Sequence, residues 1–196
     1  MVHLADVDGF AATLEAALDP DPVPTPGPDD KLAAVLAPLI LGDDPSLVFT
    51  VRATTLSRHA GEISFPGGLQ DPGEGLRETA LREAHEEIGL DPDAPKVLGA
   101  LPSLHTVVSG ILVVPFVGIL PALPDLVPSE AEIDEILVLP LEGLARSERV
   151  VELDRPRGGV WRGFAYDVDG QTVWGATGWM VHTLLDTIRR ETSWRL

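Results

Sequence analysis

Gly68 to Leu90 reads GLQDPGEGLRETALREAHEEIGL, and this stretch decides the fold. Leu76 to Ile88 has helical periodicity and stops at Gly89, a residue suited to the left-handed end of a helix. At about 100° per residue, Glu83, Glu86 and Glu87 fall within an arc of roughly 100°. Leu81, Ala84 and Ile88 fall on another side and face a core. Like charges at this spacing destabilise a helix unless something offsets them. Hard divalent cations, Mg²⁺ or Mn²⁺, bind carboxylate oxygens and would do so. On the carboxylates alone, a solvated acidic stripe is an equal alternative.

The spacing adds to this. Gly68, five residues, Glu74, seven residues, Arg82-Glu83, two residues, Glu86-Glu87, one residue, Gly89 and an aliphatic Leu90 resemble the Nudix box at each fixed position. The resemblance implies an α+β fold, an α/β/α sandwich with a mixed β-sheet and a loop-helix-loop motif that binds metal. It implies hydrolysis of a diphosphate linked to another moiety. Glu83, Glu86 and Glu87 would then be metal ligands, joined by a backbone carbonyl near Gly67 or Gly68. Glu74, Arg82, Glu83 and Glu86 would form the catalytic set, with Glu74 and Arg82 bracing the loop. In some members Glu83 is also the general base; in others the base comes from a loop or strand. Glu130, Glu132 and Glu135 are the acids available here for that role.

Immediately upstream, residues 50–68 read TVRATTLSRHAGEISFPGG. Arg52, Arg58 and His59 lie within eight positions, in a chain with only 14 lysines and arginines. They offer a local positive patch for an anionic substrate, with Gly67 and Gly68 allowing close backbone approach. The order Thr50, Arg52, Ala53, Leu56, Arg58, His59, Gly61 and Phe65 to Gly68 is similar to the signature that precedes the box in coenzyme A diphosphatases. Ser57 occupies a position that is often basic there, and Arg58 follows it. Ser109-Gly110, Pro115 to Gly118 and Trp174 to Thr177 also look like that subgroup. The implied reaction cleaves coenzyme A to 4′-phosphopantetheine and adenosine 3′,5′-bisphosphate. ADP-ribose or another nucleoside diphosphate derivative is the competing substrate. A non-catalytic binding module is the third reading; such modules usually lose box carboxylates, and this chain keeps them.

Composition sets the bounds. Among 196 residues, 44% are hydrophobic and 23% charged, enough for one sizeable core. The net charge of −17 repels nucleic-acid backbones, so a small-molecule substrate is expected rather than DNA or RNA. The chain has no cysteine, which excludes disulfides, thiolate zinc sites and thiol nucleophiles. The N-terminus lacks the pattern of a secretory signal, and the longest apolar run, Ile111 to Leu123, is too short to span a bilayer. A soluble cytoplasmic protein without membrane association is expected.

Along the chain, residues 1–30 read as an N-terminal helix (Phe10, Leu14 and Leu18 at helical spacing) followed by a linker, DPDPVPTPGPDD. Residues 31–190 read as a single catalytic domain, and 191–196 as a tail. Lys31 to Leu41 and Ser46 to Val51 look like paired strands. Val97 to Leu101, Ile111 to Leu120 and Glu132 to Leu139 are further strands, the last stopping at Pro140 before a short helix over Leu141 to Ala145. Phe164 to Trp174 looks like a hairpin turning at Asp169-Gly170. Thr177 to Arg190 is a closing helix whose apolar side is core or a homodimer contact. Trp161, Trp174, Trp179 and Trp194 are core residues or, for one of them, an adenine platform. His85, His105 and His182 read as structural.

Overall fold

The computed structural model describes residues 7–54, 61–106, 110–154, 160–192 and 194. At its centre two apolar strands, β1 (Lys31–Ile40) and β7 (Ile111–Leu120), run parallel in unbroken register from Lys31 opposite Ile111 to Ile40 opposite Leu120. Such strands are covered on both faces, which is why their sequences are almost wholly apolar. β2 (Ser46–Arg52) returns antiparallel from the far end of β1, pairing Leu39 with Leu47. The two strands then part. A short segment, β4 (Gly67–Leu69), takes the place beside Ala33 to Val35. β3 (Ile63–Ser64) and β8 (Ile133–Pro140) flank β2. β5 (Lys96–Ala100) and β6 (Leu104–His105) pair with β7. The sheet is mixed, as expected.

Alternation along the strands sorts side chains into two layers. Ala34, Leu36, Ile40, Val114 and Phe116 face α2 (Leu76–Ile88) through Ala80, Ala84 and Ile88. Ala33, Ala37, Leu39, Phe49 and Val117 face the opposite layer. That layer holds α1 (Val7–Ala17), α3 (Leu141–Ser147), α4 (Gly175–Glu191) and a second sheet of β9 (Arg149–Asp154), β10 (Val160–Val168) and β11 (Gln171–Val173). The β10–β11 turn falls at Asp169 (φ 51°) and Gly170 (φ 80°), the two positive dihedrals a tight hairpin needs. Strand β9 is an addition to the expected elements; its sequence, RVVELD, is too short and mixed to announce itself.

The N-terminal helix is packed into this same core. Phe10 and Leu14 are buried, and the Phe10 ring meets Trp194 edge-on at 5.1 Å. Asp19 exchanges two backbone hydrogen bonds with Ala100, so the proline-rich stretch leaves from a point fixed on β5. Among the described residues no helix is long and apolar enough to cross a membrane.

Leu14 is fully buried against the opposite layer. Leu14→Ala is expected to cost about 2–5 kcal/mol of unfolding free energy in denaturant titrations. A loss below about 1 kcal/mol would show that α1 is not part of the cooperative core.

Candidate functional site

Helix α2 is bounded by its own sequence. The Glu78 carboxylate accepts the Gly75 N–H at 2.9 Å at one end. At the other, Gly89 turns into the left-handed region (φ 67°) and donates to the His85 carbonyl at 2.9 Å. With Ala80, Ala84 and Ile88 seated on the sheet, the three glutamates divide by depth. Their side-chain exposures are 3% for Glu87, 17% for Glu83 and 56% for Glu86. The arc expected from sequence is therefore an inward-to-outward gradient rather than an exposed stripe.

Arg82 ties the motif together, and all five of its N–H groups find acceptors. Its Nε and Nη2 fork onto Glu74 at 2.8 and 3.1 Å. Nη1 reaches Glu83 at 2.8 Å and Glu86 at 3.1 Å, and Nη2 also donates to the Leu69 carbonyl at 3.2 Å. Glu74 accepts the hydroxyl of the buried Thr79 at 2.7 Å and the Asp71 N–H at 3.2 Å. Arg82, chiefly, holds the Glu74 carboxyl down at about 2, with Thr79 and Asp71 helping against the opposing effect of burial. Glu74 in turn raises the Arg82 guanidinium, so the fork stays ionised. Thr79 is a member of this network that the sequence did not advertise.

The glycines stand where no side chain fits. A Cβ on Gly68 would come within 2.4 Å of the Glu83 carboxyl carbon, and one on Gly67 within 2.4 Å of the Ala34 carbonyl oxygen. Gly67 instead donates its N–H to Glu87 Oε2 at 3.1 Å. Burial pushes the Glu87 carboxyl up to about 7; the Gly67 N–H and Arg52 oppose this, while the charges of Glu83 and Glu132 add to it. Glu83 is also raised, first by burial, against the pull of Arg82 and with Glu86 and Glu132 adding to the rise.

Glu132 thus lies within electrostatic reach of both buried acids. Its loop is docked on the end of α2: Ser129 N–H donates to the Glu87 carbonyl at 2.9 Å, Glu132 N–H to Ser129 at 2.9 Å, and Ala53 N–H to Glu132 at 2.8 Å. Glu135 sits in β8 opposite Val51. Arg52, at the end of β2, brings its Nη1 to 3.7 Å from Glu87 Oε1. Arg58 and His59 lie outside the described residues. Sequence neighbours 50–53 and 65–68 are brought together with the box, so Arg52, Gly67, Gly68, Glu74, Arg82, Glu83, Glu86 and Glu87 form one constellation.

Other residues stand apart. His85 Nδ1 is 3.1 Å from the Leu90 carbonyl, His105 pairs with Asp30 at 3.3 Å, and His182 stacks on Phe164 at 3.4 Å. Trp194 and Trp179 pack against the core, whereas Trp174 opens α4 with about half its surface exposed. A hollow of about 380 Å³ lined by Asp19, Pro22, Val23, Leu101 and Ser103 includes none of the box residues.

A hard divalent cation fits this donor set. Glu83 and Glu87 present only oxygen, both are raised by burial, and Gly68, lacking a Cβ, lets the Glu83 carboxylate lie against the backbone. Among the described residues, no three such side chains already converge as a cage. The glutamates are drawn to Arg82 and Arg52 instead.

Comparison with known proteins agrees with the geometry. The chain matches the NUDIX domain over residues 30–157. It is 39% identical over 156 residues to a protein of Pectobacterium atrosepticum named uncharacterized Nudix hydrolase NudL, covering 79% of this chain and 81% of that one. A Photorhabdus laumondii protein of the same name is 35% identical over 192 residues, covering 96% of this chain and 100% of the other. In three dimensions the chain resembles the MutT/nudix family protein from Enterococcus faecalis, with TM-score 0.52 at 14% identity, over 94% of this chain and 68% of that one. The chain belongs to the Nudix hydrolase family and is a diphosphatase.

The Arg82–Glu74 fork has a pH signature. Glu74 titrates at about 2 when folded against 4.5 as an ordinary carboxylate, so its contribution is complete above 4.5 and is lost as pH falls through that window. Glu74→Gln is expected to lower stability by roughly 1–3 kcal/mol near neutral pH. The gap to wild type should narrow as denaturant titrations are repeated at about pH 3, inside that window. A gap independent of pH would refute the charge-based account.

Proposed function

We propose that this enzyme hydrolyses the diphosphate of coenzyme A and its derivatives, releasing 4′-phosphopantetheine and adenosine 3′,5′-bisphosphate. The observation that carries the reading is the position of Arg52. Arg52, at the strand end that also bears Thr50 and Ala53, reaches α2, with its Nη1 at 3.7 Å from Glu87. The described part of the coenzyme A-type signature, Thr50 to Ala53 and Phe65 to Gly68, is thus adjacent to the box in space as well as in sequence. Coenzyme A carries a 3′-phosphate beyond its diphosphate, which gives the cluster of Arg52, Arg58 and His59 a second anion to bind.

In this reading Glu83 and Glu87 hold Mg²⁺ or Mn²⁺, with Glu86 a further ligand and a backbone carbonyl near Gly67 or Gly68 completing the oxygen set. The metal, when bound, neutralises the diphosphate and lowers the pKa of water. The chain supplies the rest. Arg82, fixed by Glu74, orients the Glu83 and Glu86 carboxylates. Glu132 takes the proton from the attacking water on a carboxylate oxygen; the water oxygen forms the new P–O bond as the bridging P–O bond breaks. Arg52, Arg58 and His59 grip substrate phosphates, while the thiol end lies away from the reacting phosphorus.

The test is a chromatographic product assay with coenzyme A, ADP-ribose and diadenosine polyphosphate, with and without Mg²⁺ or Mn²⁺. Coenzyme A should be cleaved fastest and only with metal. Glu83→Gln or Glu87→Gln should lower kcat by about 10²–10³ with the circular dichroism spectrum preserved. Because Arg52 touches Glu87, its loss should affect every substrate. The discriminating variant is Arg58→Gln with His59→Gln, expected to cut kcat/KM for coenzyme A by roughly tenfold or more and to spare ADP-ribose. Faster turnover of ADP-ribose by the wild type would assign the enzyme to that substrate class instead.

A further inference from the structure

Among the described residues two arginines reach the box carboxylates, and they are held in different ways. Arg82 is fixed by hydrogen bonds of 2.8–3.2 Å to Glu74, Glu83, Glu86 and the Leu69 carbonyl. Arg52 meets Glu87 across 3.7 Å, beyond hydrogen-bond range, and keeps 29% of its side chain exposed. Its backbone, by contrast, is pinned. Arg52 N–H donates to Glu62 at 3.0 Å, its carbonyl accepts from Gly61 at 2.9 Å, and the next residue donates to Glu132 at 2.8 Å. The β2–β8 register also shifts between Val51 and Arg52, an irregularity of the kind that re-aims a side chain. The strand end is fixed, whereas the guanidinium is held less closely than that of Arg82.

Glu87 explains why an arginine stands there. Its side chain is 3% exposed, and the Gly67 N–H at 3.1 Å is a weak substitute for water. A carboxylate so deep needs a cation close by. We propose that Arg52 is an exchangeable counter-cation for Glu87. It neutralises the carboxylate when no divalent ion is present. It yields Glu87 when such an ion binds, and its guanidinium, repelled by the new charge, turns to the anionic substrate. Arg52 is then a positioning residue that couples metal occupancy to substrate grip. The inference rests on the reading of Glu87 as a metal ligand, and not on the identity of the substrate.

Competition for one carboxylate has a sign. Removing Arg52 should tighten metal binding, whereas loss of a mere structural brace would loosen it. The experiment is Mn²⁺ titration of the substrate-free full chain, with free Mn²⁺ read by electron paramagnetic resonance. Arg52→Gln should bind its tightest Mn²⁺ about tenfold more strongly than wild type. Arg77→Gln is the control. It removes a charge from α2, the helix that bears Glu87, where Arg77 donates to the Pro20 carbonyl at 3.2 Å. It should change affinity by less than about twofold. Equal tightening in both variants, or unchanged or weaker binding in Arg52→Gln, overturns the proposal. Glu87→Gln separates the two levels of the argument. If it leaves Mn²⁺ binding intact, Glu87 is no ligand and the proposal falls with that reading. If it weakens binding while Arg52→Gln behaves like Arg77→Gln, only the exchange is refuted. Should Arg52→Gln fail to fold, Arg52→Met removes the same charge on an apolar stem and is read by the same criteria.

Discussion

Two small residues, Ala80 and Ala84, let α2 lie flush on the sheet, and the geometry of the site follows from that approach. Both are fully buried against strands that present Ala34, Leu36 and Val114. A larger residue at either position would lift the helix. Because the helix sits low, Glu83 and Glu87 are pressed toward the chain entering at Gly67 and Gly68. There the room for a Cβ is gone on both sides: Glu83 occupies it at Gly68, and the β1 backbone occupies it at Gly67. β1 and β2 part at this point so that β4 can enter. The box is therefore a packing solution before it is a catalytic one, and the same contacts that build the core set the depth of each carboxylate.

Depth creates an electrostatic problem that arginine answers. The chain carries −17 overall, and the largely buried Glu83 and Glu87 lie one helical turn apart. Arg82 answers at short range, with its full donor set committed to three glutamates and one carbonyl. Glu74 matters mainly as the anchor for that guanidinium, since a bidentate fork fixes its plane as well as its charge. Glu87 lies beyond Arg82 and, among the described residues, receives a backbone N–H and the more distant Arg52. This uneven provision leaves the net negative charge of the constellation concentrated on the inner acids, where an oxygen-binding cation is most strongly attracted.

Much of this was legible in the sequence, for identifiable reasons. Helix α2 declares both ends because Gly75 and Gly89 punctuate a strong periodic run, and its boundaries are local chemistry. The near-continuous apolar strands β1 and β7 are equally plain. The constellation of box residues could be assigned because fixed spacing encodes the fork and the cradle. What was not legible depends on long-range contacts. Angles on a helical wheel group Glu83, Glu86 and Glu87, but the burial of Glu87 depends on the docking of residues 127–132 and on β2. The distinction of Glu132 from Glu130 and Glu135 likewise needs the hydrogen bonds to Ser129 and Ala53. Burial of α1 against the far layer could not be read across a proline-rich stretch that looks like a linker.

Thr177 links the C-terminal layer to the site. Thr177, near the start of α4, donates its hydroxyl to the Ile63 carbonyl at 3.0 Å across 114 positions of sequence. Ile63 pairs with Val51, the residue before Arg52. The next residue on the helix, Gly178, lies so close to β10 that a Cβ would meet the Phe164 carbonyl oxygen at 2.2 Å. The Trp174 to Thr177 stretch therefore has a physical account that needs no substrate. Close packing on β10 fixes the height of α4, Thr177 clamps β3, and β3 holds the strand end from which Arg52 extends. A helix placed on the opposite face of the sheet from α2 thus helps set the position of the loose arginine, and the two layers of the sandwich converge on Glu87.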